Sequence, residues 1–368
     1  MKVQLYIRIM LLLTLSTCTT ALWAQETAAE PAATEEVAGE AHEQKPETFN
    51  PTPMIMEHIA DAHHFHIAGH LHIPLPVIIY SPEKGLSVFS SNRFMNHETH
   101  EPTEEVDGYK LVEGKMARTD GVTFYDLSIT KNVFSMLVAS LLLVVIFVSV
   151  AGGYTKRKNQ APKGLQSLIE PLVVFVRDDI AKPGLGHNYE RFLPFLMTAF
   201  FFILFNNLLG LVPIFPGGAN VTGNIAVTMV LAVLAGILIN INGTKDYWMH
   251  IFWPPVPGPL KLLMIPVEII GVLTKPVTLM VRLFANITAG HIVVLSLISL
   301  IFVFGNYNPA KDMVQSPVGA GLGVVVAMAF ALFISVIEIL VAFIQAFIFT
   351  MLSSVFIGMA LEEHHADH

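Results

Sequence analysis

The sequence contains one cysteine, Cys18, and few charged side chains for its length of 368 residues. Cys18 lies in an amino-terminal segment that we expect to be removed, so the mature chain should contain no disulfide, catalytic thiol or cysteine-ligated metal. Charged residues make up 14% of the chain against 53% hydrophobic residues, and the mean hydropathy is +0.60. These values exclude an ordinary soluble domain and indicate an integral membrane protein.

Two further absences narrow the function. No stretch combines clustered basic side chains with interleaved aromatic residues, so nucleic acid is not expected as a partner. No Walker-type glycine loop is present, so we expect no nucleotide site in this chain.

The first residues have the pattern of a secretory signal peptide, which we assign to 1–24. Lys2 and Arg8 form a basic region, Ile9–Leu15 forms an apolar core, and small residues follow at a plausible cleavage site. An uncleaved first span is the alternative, but the apolar run is too short to cross a membrane.

An acidic, exported segment follows the signal peptide. Residues 25–125 carry 17 acidic and 6 basic side chains. We predict a disordered linker at 25–52, because it lacks large apolar side chains, and a small β-containing domain at 53–128. The apolar runs that we expect to form strands are 77–80 and 86–89, which flank a proline- and glycine-containing turn, and 110–112 and 122–124.

The rest of the chain, 129–361, is predicted to be the membrane domain, with a cytoplasmic tail at 362–368. Five apolar segments are predicted to cross the membrane: 133–151, 192–215, 219–241, 262–304 and 317–360. Basic residues concentrate after the first segment and between the third and fourth. The positive-inside rule therefore puts the amino terminus outside and the carboxy terminus in the cytoplasm.

Two features of this domain depart from simple crossings. The spacing of apolar residues over 164–180 predicts an amphipathic helix on the cytoplasmic face, whose polar side carries Gln166, Glu170, Arg177 and Asp178. The last two segments exceed the roughly 20 residues needed to cross, so this hairpin must tilt, break, or both, and Pro266 and Pro276 are candidate break points.

Each of these last two segments contains an isolated charge deep in its apolar run. Arg282 is the only charged residue between Pro276 and Ala310, and Glu338 is the only one between Met313 and Leu361. An ionisable residue at the centre of a span costs roughly 2.5–3.5 kcal/mol on insertion scales. Two such residues of opposite sign favour charge transport over anchoring.

Helical spacing sorts the polar residues around these charges. Arg282 shares a face with Asn286, whereas His291 lies on the opposite side and can approach Glu338 across the hairpin. Arginine cannot release its proton and suits a fixed positive barrier. Histidine and glutamate exchange protons when burial shifts them. The remaining residues on these faces are Glu268, Thr274, Thr278, Ala289, Ala342 and Gln345.

The same residues also have interpretations in which they only stabilise the structure. Arg282 and Glu338 could form a buried ion pair, His291 could be a hydrogen-bonded packing residue, and Glu268 could reach the membrane interface.

Around these residues the sequence resembles subunit a of the rotary, F-type ATP synthases. The resemblance covers about 125–360 and rests on KPVTLMVRLFAN at 275–286, AGH at 289–291, Glu338 with IQAFIF at 344–349, and FNNLLGLVP at 205–213. It implies an all-α membrane protein of the bacterial inner membrane that carries protons past a rotating ring of subunit c. The implied partners are that ring, the peripheral-stalk subunit b and membrane lipid, with no cofactor and no catalytic residue in this chain.

Residue by residue, the resemblance implies roles for the polar side chains. Arg282 would face the ring carboxylate, supported on the rotor side by Thr278, Ala285 and Ala289. Asn286, His291, Glu338 and Gln345 would line the exported-side half-channel, and Glu268 would belong to the cytoplasmic one.

The chain departs from the family pattern in two respects. Many bacterial members carry glutamate where His291 stands and histidine where Glu338 stands, which leaves open which of the two protonates first. The long exported segment is not part of the common pattern. It contains His58, His63, His64, His66, His70 and His72, which could bind zinc or copper or could be solvated and packing histidines.

The sequence therefore predicts the stator subunit of a proton-translocating ATP synthase. A stand-alone ion channel or secondary transporter is the alternative. It would call for internal repeats or a substrate site between half-helices, and neither is seen.

Overall fold

The structure is a computed structural model. It describes these residues: 50–68, 71–83, 85–94, 105–112, 115–118, 123–156, 160–212, 215, 217–308 and 313–362. The predicted signal peptide, nearly all of the predicted linker, and most of the predicted tail lie outside the described residues.

The domain that precedes the membrane helices is called the exported domain after its predicted location. Its described residues form one short α-helix, a 3-10 turn at Ser91–Phe94 and three small antiparallel sheets. Its elements are α1 (Thr52–Ile59), β1 (His64–Ala68), β2 (Leu71–Pro74), β3 (Pro76–Ser81), β4 (Gly85–Ser90), β5 (Tyr109–Val112), β6 (Lys115–Arg118) and β7 (Tyr125–Asp126). The sheets pair β1 with β2, β5 with β6, and β4 with β3 and β7. Alternate residues of β3 point into a small core that contains Val77, Ile79 and Phe94.

The hairpin predicted at 77–80 and 86–89 is confirmed, because β3 and β4 pair antiparallel over these residues. Gly85 adopts a φ of +73° at the turn, a conformation that glycine reaches without strain. The strand predicted at 122–124 is wrong: Thr123 and Phe124 are irregular, and β7 starts at Tyr125. Phe124 instead packs edge-on against Tyr109, so its ring fills the core from outside the sheet.

Backbone hydrogen bonds join this domain to the first membrane helix. The amide of Leu127 donates to the carbonyl of Ile78 at 2.8 Å, and the amide of Ile129 donates to the carbonyl of Pro76 at 3.1 Å. The amide of Lys131 donates to the carbonyl of Ala62 at 2.8 Å. The exported domain is therefore seated directly on the start of that helix.

The membrane domain is helical. Its helices are α2 (Lys131–Lys156), α3 (Leu165–Phe175), α4 (Lys182–Leu185), α5 (Tyr189–Leu211), α6 (Ile225–Ile241), α7 (Lys245–Phe252), α8 (Gly258–Phe304) and α9 (Pro317–Leu361). Within the described residues, four helical stretches are long and apolar enough to cross a membrane, or five if the bent pair α6 and α7 counts as one span. Both numbers agree with a multi-pass membrane protein, and the second equals the number predicted from sequence.

The second and third predicted segments are too long. Helix α5 ends at Leu211 and α6 begins at Ile225, and residues 217–224 between them form an irregular segment. Asn224 ends this segment by accepting a hydrogen bond from the amide of Ala226, which caps α6. Hydropathy could not reveal the break, because Ala219, Val221 and their neighbours are buried although they are not helical.

The helix predicted at 164–180 is present as α3, followed by a π-helical turn at Val176–Ala181. Gln166 was predicted to lie on the polar, exposed face of this helix, but it is buried. A side chain on Gly153 of α2 would lie 3.2 Å from the Gln166 amide oxygen, so that glycine leaves room for the glutamine. The position of α3 on the membrane surface stays a prediction.

Helices α8 and α9 form an antiparallel hairpin, connected by the short strands β8 (Tyr307–Asn308) and β9 (Met313–Val314). Neither Pro266 nor Pro276 breaks α8, which is continuous over 47 residues, about 70 Å at 1.5 Å per residue. Neighbouring helices make such prolines tolerable in membranes. The ring of Pro276 packs against Gly236 of α6, where a Cβ would lie 3.3 Å away.

Candidate functional site

One face of α8 is left uncovered by the rest of the described chain, and Arg282 lies on it. The exposed residues of this face are Thr274, Thr278, Arg282, Ala285, Asn286 and Ala289. Leu279 and Leu283, which flank this face, are buried against neighbouring helices. The periodicity of the sequence therefore predicted this face correctly, because an α-helix returns to the same side every three to four residues.

The backbone of Arg282 is held from behind by α9. The side-chain amide of Gln345 donates a hydrogen bond to the carbonyl oxygen of Arg282 at 3.3 Å. Gln345 is buried between Ala342 and Ala346, two small residues that let the helices approach closely. In the part of the chain that the structure describes, Arg282 forms no ion pair. The alternative interpretation, a buried ion pair between Arg282 and Glu338, is therefore not observed there.

The contact predicted between Glu338 and His291 across the hairpin is not formed among the described residues. No hydrogen bond or ion pair joins them among the described residues. The Glu338 carboxylate instead packs against Gly290, where a Cβ would lie 2.7 Å from its Oε1. The Nε2 of His291 faces α5, 4.0 Å from where a Cβ of Gly210 would be. The next residue along a helix turns by about 100°, so Glu338 occupies the gap at Gly290 and His291 is directed elsewhere.

A cluster of buried polar side chains lies beside His291, in α5 and the irregular segment that follows it. Thr222 donates a hydrogen bond from its hydroxyl to Oδ1 of Asn207, and Nδ2 of Asn207 donates to the carbonyl of Ala342 at 3.3 Å. Oδ1 of Asn206 and both side-chain polar atoms of Asn220 are buried without a partner in the described chain. Buried polar atoms of this kind usually bind internal water.

We call Asn206, Asn207, Asn220 and Thr222 the polar crevice. In the sequence, Asn206 and Asn207 stood out only as part of a motif, and Asn220 and Thr222 were not identified as candidates. The signal available in the sequence was the pair of adjacent asparagines inside an otherwise apolar run.

A second polar cluster surrounds Glu268, near the amino-terminal end of α8. Nδ1 of His250, on α7, lies 3.9 Å from Oε1 of Glu268. The ammonium group of Lys275 lies over the ring of Tyr247, 5.8 Å from its centroid, and the Tyr247 hydroxyl donates to Oδ1 of Asn240 at 3.2 Å. Sequence analysis missed His250, because only the fold of α7 onto α8 brings it to Glu268.

The exported histidines do not assemble into a metal centre within the part that can be described. No group of three or more histidine, cysteine or carboxylate side chains is arranged to hold a metal ion among the described residues. The Cα atoms of His66 and His72 are paired across β1 and β2, but their side chains and His70 lie outside the described set.

Two sequence models of protein families match the chain. The family described as the ATP synthase A chain matches residues 133–358, and a domain of unknown function matches residues 54–133. The boundary between them falls at the start of α2, where the exported domain contacts the membrane domain.

Several curated proteins are similar over the membrane domain. ATP synthase subunit a from Chloroherpeton thalassium is 48% identical over 249 residues, which cover 66% of this chain and 69% of that protein. ATP synthase subunit a 2 from Chlorobaculum tepidum is 46% identical over 246 residues, 65% of each chain. ATP synthase subunit a from Anaeromyxobacter dehalogenans is 43% identical over 251 residues, 66% of this chain and 60% of that protein.

Proposed function

Because the chain belongs to the ATP synthase A chain family, we propose a specific role for each of its buried and rotor-facing polar residues. As a member, it is a non-catalytic subunit of the membrane sector of the ATP synthase and takes part in proton translocation. It is a multi-pass protein of the bacterial inner membrane.

Arg282 is the fixed positive charge that faces the proton-carrying carboxylate of the subunit c ring. The observation that carries this assignment is its position on a face of α8 that the rest of the described chain leaves uncovered. A guanidinium group stays charged at every physiological pH, so it discharges an arriving carboxyl and blocks direct proton leakage. This face is shallow because the side chains of Thr278, Ala285 and Ala289 are short. Asn286 adds a neutral polar group one turn from Arg282.

Protons from the exported side pass through the polar crevice, His291 and Glu338. Water bound at the unpartnered atoms of Asn206 and Asn220 would connect His291 with Glu338, which replaces the direct contact expected from sequence. Gln345 acts as a positioning residue, since it holds the backbone of Arg282 between this half-channel and the ring.

Protons leave on the cytoplasmic side by way of Glu268 and His250. Both side chains are partly exposed, with fractions of 26% and 51%, so this pair can exchange protons with water directly. Each proton that crosses contributes about 2.3 kcal/mol per 100 mV of membrane potential.

The orientation follows from the distribution of basic residues. The amino terminus is periplasmic after removal of residues 1–24, residues 25–52 form a linker, and the carboxy terminus is cytoplasmic. The partners are the subunit c ring on the Arg282 face, the peripheral-stalk subunit b, and lipid around the remaining apolar surface.

The variant Arg282→Ala tests this assignment in inverted membrane vesicles that contain the whole ATP synthase. We expect coupled pumping and ATP synthesis to be lost while the ring and subunit b still co-purify, and passive proton leak to persist or rise. Arg177→Ala is the matched control, because Arg177 pairs with its neighbour Asp178 away from this face. Normal ATP synthesis in Arg282→Ala would end the assignment.

A further inference from the structure

The exported domain reaches the membrane domain next to His291. Helix α1 packs against α8, and the ammonium group of Lys131, in the first turn of α2, donates to the carbonyl of His58 in α1 at 2.9 Å. Lys131 and His58 both lie within electrostatic range of His291. The first turn of α2 therefore connects the exported domain with the exported end of the proton path.

Asp61 is the carboxylate at this junction. Its Oδ2 accepts a hydrogen bond from the hydroxyl of Thr130 at 2.8 Å, and its Oδ1 accepts from the amide of Asn132 at 3.2 Å. Lys131, between these two residues, is within electrostatic range of Asp61 as well as of His291. The charge of this one lysine therefore acts on both Asp61 and His291.

Two polar atoms in the same turn provide an independent indication of water. Oδ1 of Asn132 and Oγ of Ser135 are buried, in residues that are 4% and 0% exposed, and neither atom has a hydrogen-bond partner in the described chain. Such atoms are normally satisfied by ordered water, and a chain of waters conducts protons.

We propose that Asp61 is the group that takes up protons from the exported side and passes them to His291. This inference deepens the proposed function and depends on His291 lying in the exported half-channel. A proton from exported water binds an oxygen of Asp61. It then leaves through water at Asn132 and Ser135 to a ring nitrogen of His291, and Asp61 returns to the carboxylate. No bond between heavy atoms forms or breaks, and one proton moves inward.

The surroundings of Asp61 suit this exchange. Burial raises the pKa of Asp61 above its ordinary range, although hydrogen bonds from Thr130 and Asn132 and the nearby Lys131 and His63 act against that rise. A further titratable group in this region is Asp126, whose Oδ2 lies 3.7 Å from Nε2 of His63. A carboxyl with a raised pKa exchanges protons closer to neutral pH than an exposed aspartate does.

A merely structural role is the alternative, since Asp61 accepts from the first turn of α2 as a helix cap does. The variants Asp61→Asn and Asp61→Ser separate the two roles, because both keep an oxygen that can cap the helix and neither can titrate. Asp61→Glu keeps the titrating group. Asp107→Asn is the matched control: it makes the same change of charge on the exported domain, where Asp107 pairs with exposed Arg93.

The experiment measures ATP synthesis by the purified whole ATP synthase in liposomes, with the exported face inside and an acidic lumen. We expect Asp61→Asn and Asp61→Ser to reduce the initial rate by about tenfold, a modest effect for a proton-transfer group. Asp61→Glu and Asp107→Asn should stay within about twofold of the unmodified protein. Imidazole loaded into the lumen should restore the rate of the slow variants, because a mobile buffer can replace a missing proton donor.

Two results would overturn the inference. An unchanged rate in either non-titrating variant that assembles, or a reduced rate that imidazole does not restore, would assign Asp61 to helix capping alone. His291→Ala in the same assay keeps the two proposals apart. If that variant is slow while Asp61→Asn is normal, the proton passes His291 without Asp61; if both are normal, the half-channel assignment itself fails.

Discussion

Replacing Gly290 with alanine adds one methyl group at the point where Glu338 packs against α8. The new Cβ would lie 2.7 Å from Oε1 of Glu338 and 3.5 Å from its Cγ and Cδ, whereas ordinary contacts begin at 3.4 Å. The carboxylate oxygen must therefore move by about 0.7 Å or the two helices must separate. A strained side-chain rotamer costs about 0.5–1.5 kcal/mol, and overpacking that shifts the backbone costs about 1–3 kcal/mol.

Displacement of the carboxylate should slow proton transfer more than it harms assembly. Since 1.4 kcal/mol corresponds to a factor of ten in rate, the rotamer cost of about 0.5–1.5 kcal/mol predicts about 2- to 12-fold slower ATP-driven acidification in inverted vesicles. Gly271→Ala is the matched control on the same helix, because a Cβ at that position meets nothing within 4 Å. Adding Glu338→Asp to Gly290→Ala should recover part of the rate, since a shorter side chain draws the carboxylate back from the new methyl group.

If Gly290→Ala and Gly271→Ala pump equally well, and both complexes retain the subunit c ring, Glu338 does not depend on the space beside Gly290. The proton path would then not pass through the Glu338 carboxylate at its position beside Gly290.

Three further predictions concern other parts of the molecule. Thr222→Val should reduce pumping and destabilise the assembled subunit by about 1–3 kcal/mol, because the buried Oδ1 of Asn207 loses its donor. Thr155→Val is the control, because the Thr155 hydroxyl donates to Ala151 within its own exposed turn. This variant should change neither the pumping rate nor the thermal melting temperature. His250→Gln should slow ATP-driven proton uptake from the cytoplasm about threefold, a small effect because the pair with Glu268 is partly exposed; equal rates in His250→Gln and the exposed His187→Gln would remove His250 from the path. Deletion of residues 25–48 should leave ATP-driven pumping intact, since this acidic stretch lies outside the matched family region, and loss of pumping in an assembled complex would give it a transport role.

Much of the architecture could be predicted from the sequence, because the physical constraints are local. Apolar runs of sufficient length cross a membrane, and basic residues predict which loops face the cytoplasm. The same locality predicted the hairpin of β3 and β4 and the set of residues that share a face with Arg282, since each depends on a short periodicity of alternating or helical spacing. The strand predicted at 122–124 failed because Phe124 serves the core as a packed ring and does not pair its backbone.

The partners of each side chain were decided only by the tertiary structure. His291 and Glu338 lie at a suitable height to meet across the hairpin, but the space at Gly290 accepts the carboxylate and α5 receives the imidazole. Pro266 and Pro276 carry the sequence signal of a helix break, yet α8 continues through both, and Pro276 packs against Gly236 of α6.

The contribution of the exported domain was the least visible in the sequence. Asp61 precedes Thr130 by 69 positions, and nothing local links them, yet a hydrogen bond of 2.8 Å joins their side chains at the start of α2. The sequence alone determined which residue types could carry a proton and on which helices they lie. Only the packing of distant segments decided which of them are neighbours, because contacts between elements depend on how whole helices and sheets fit together.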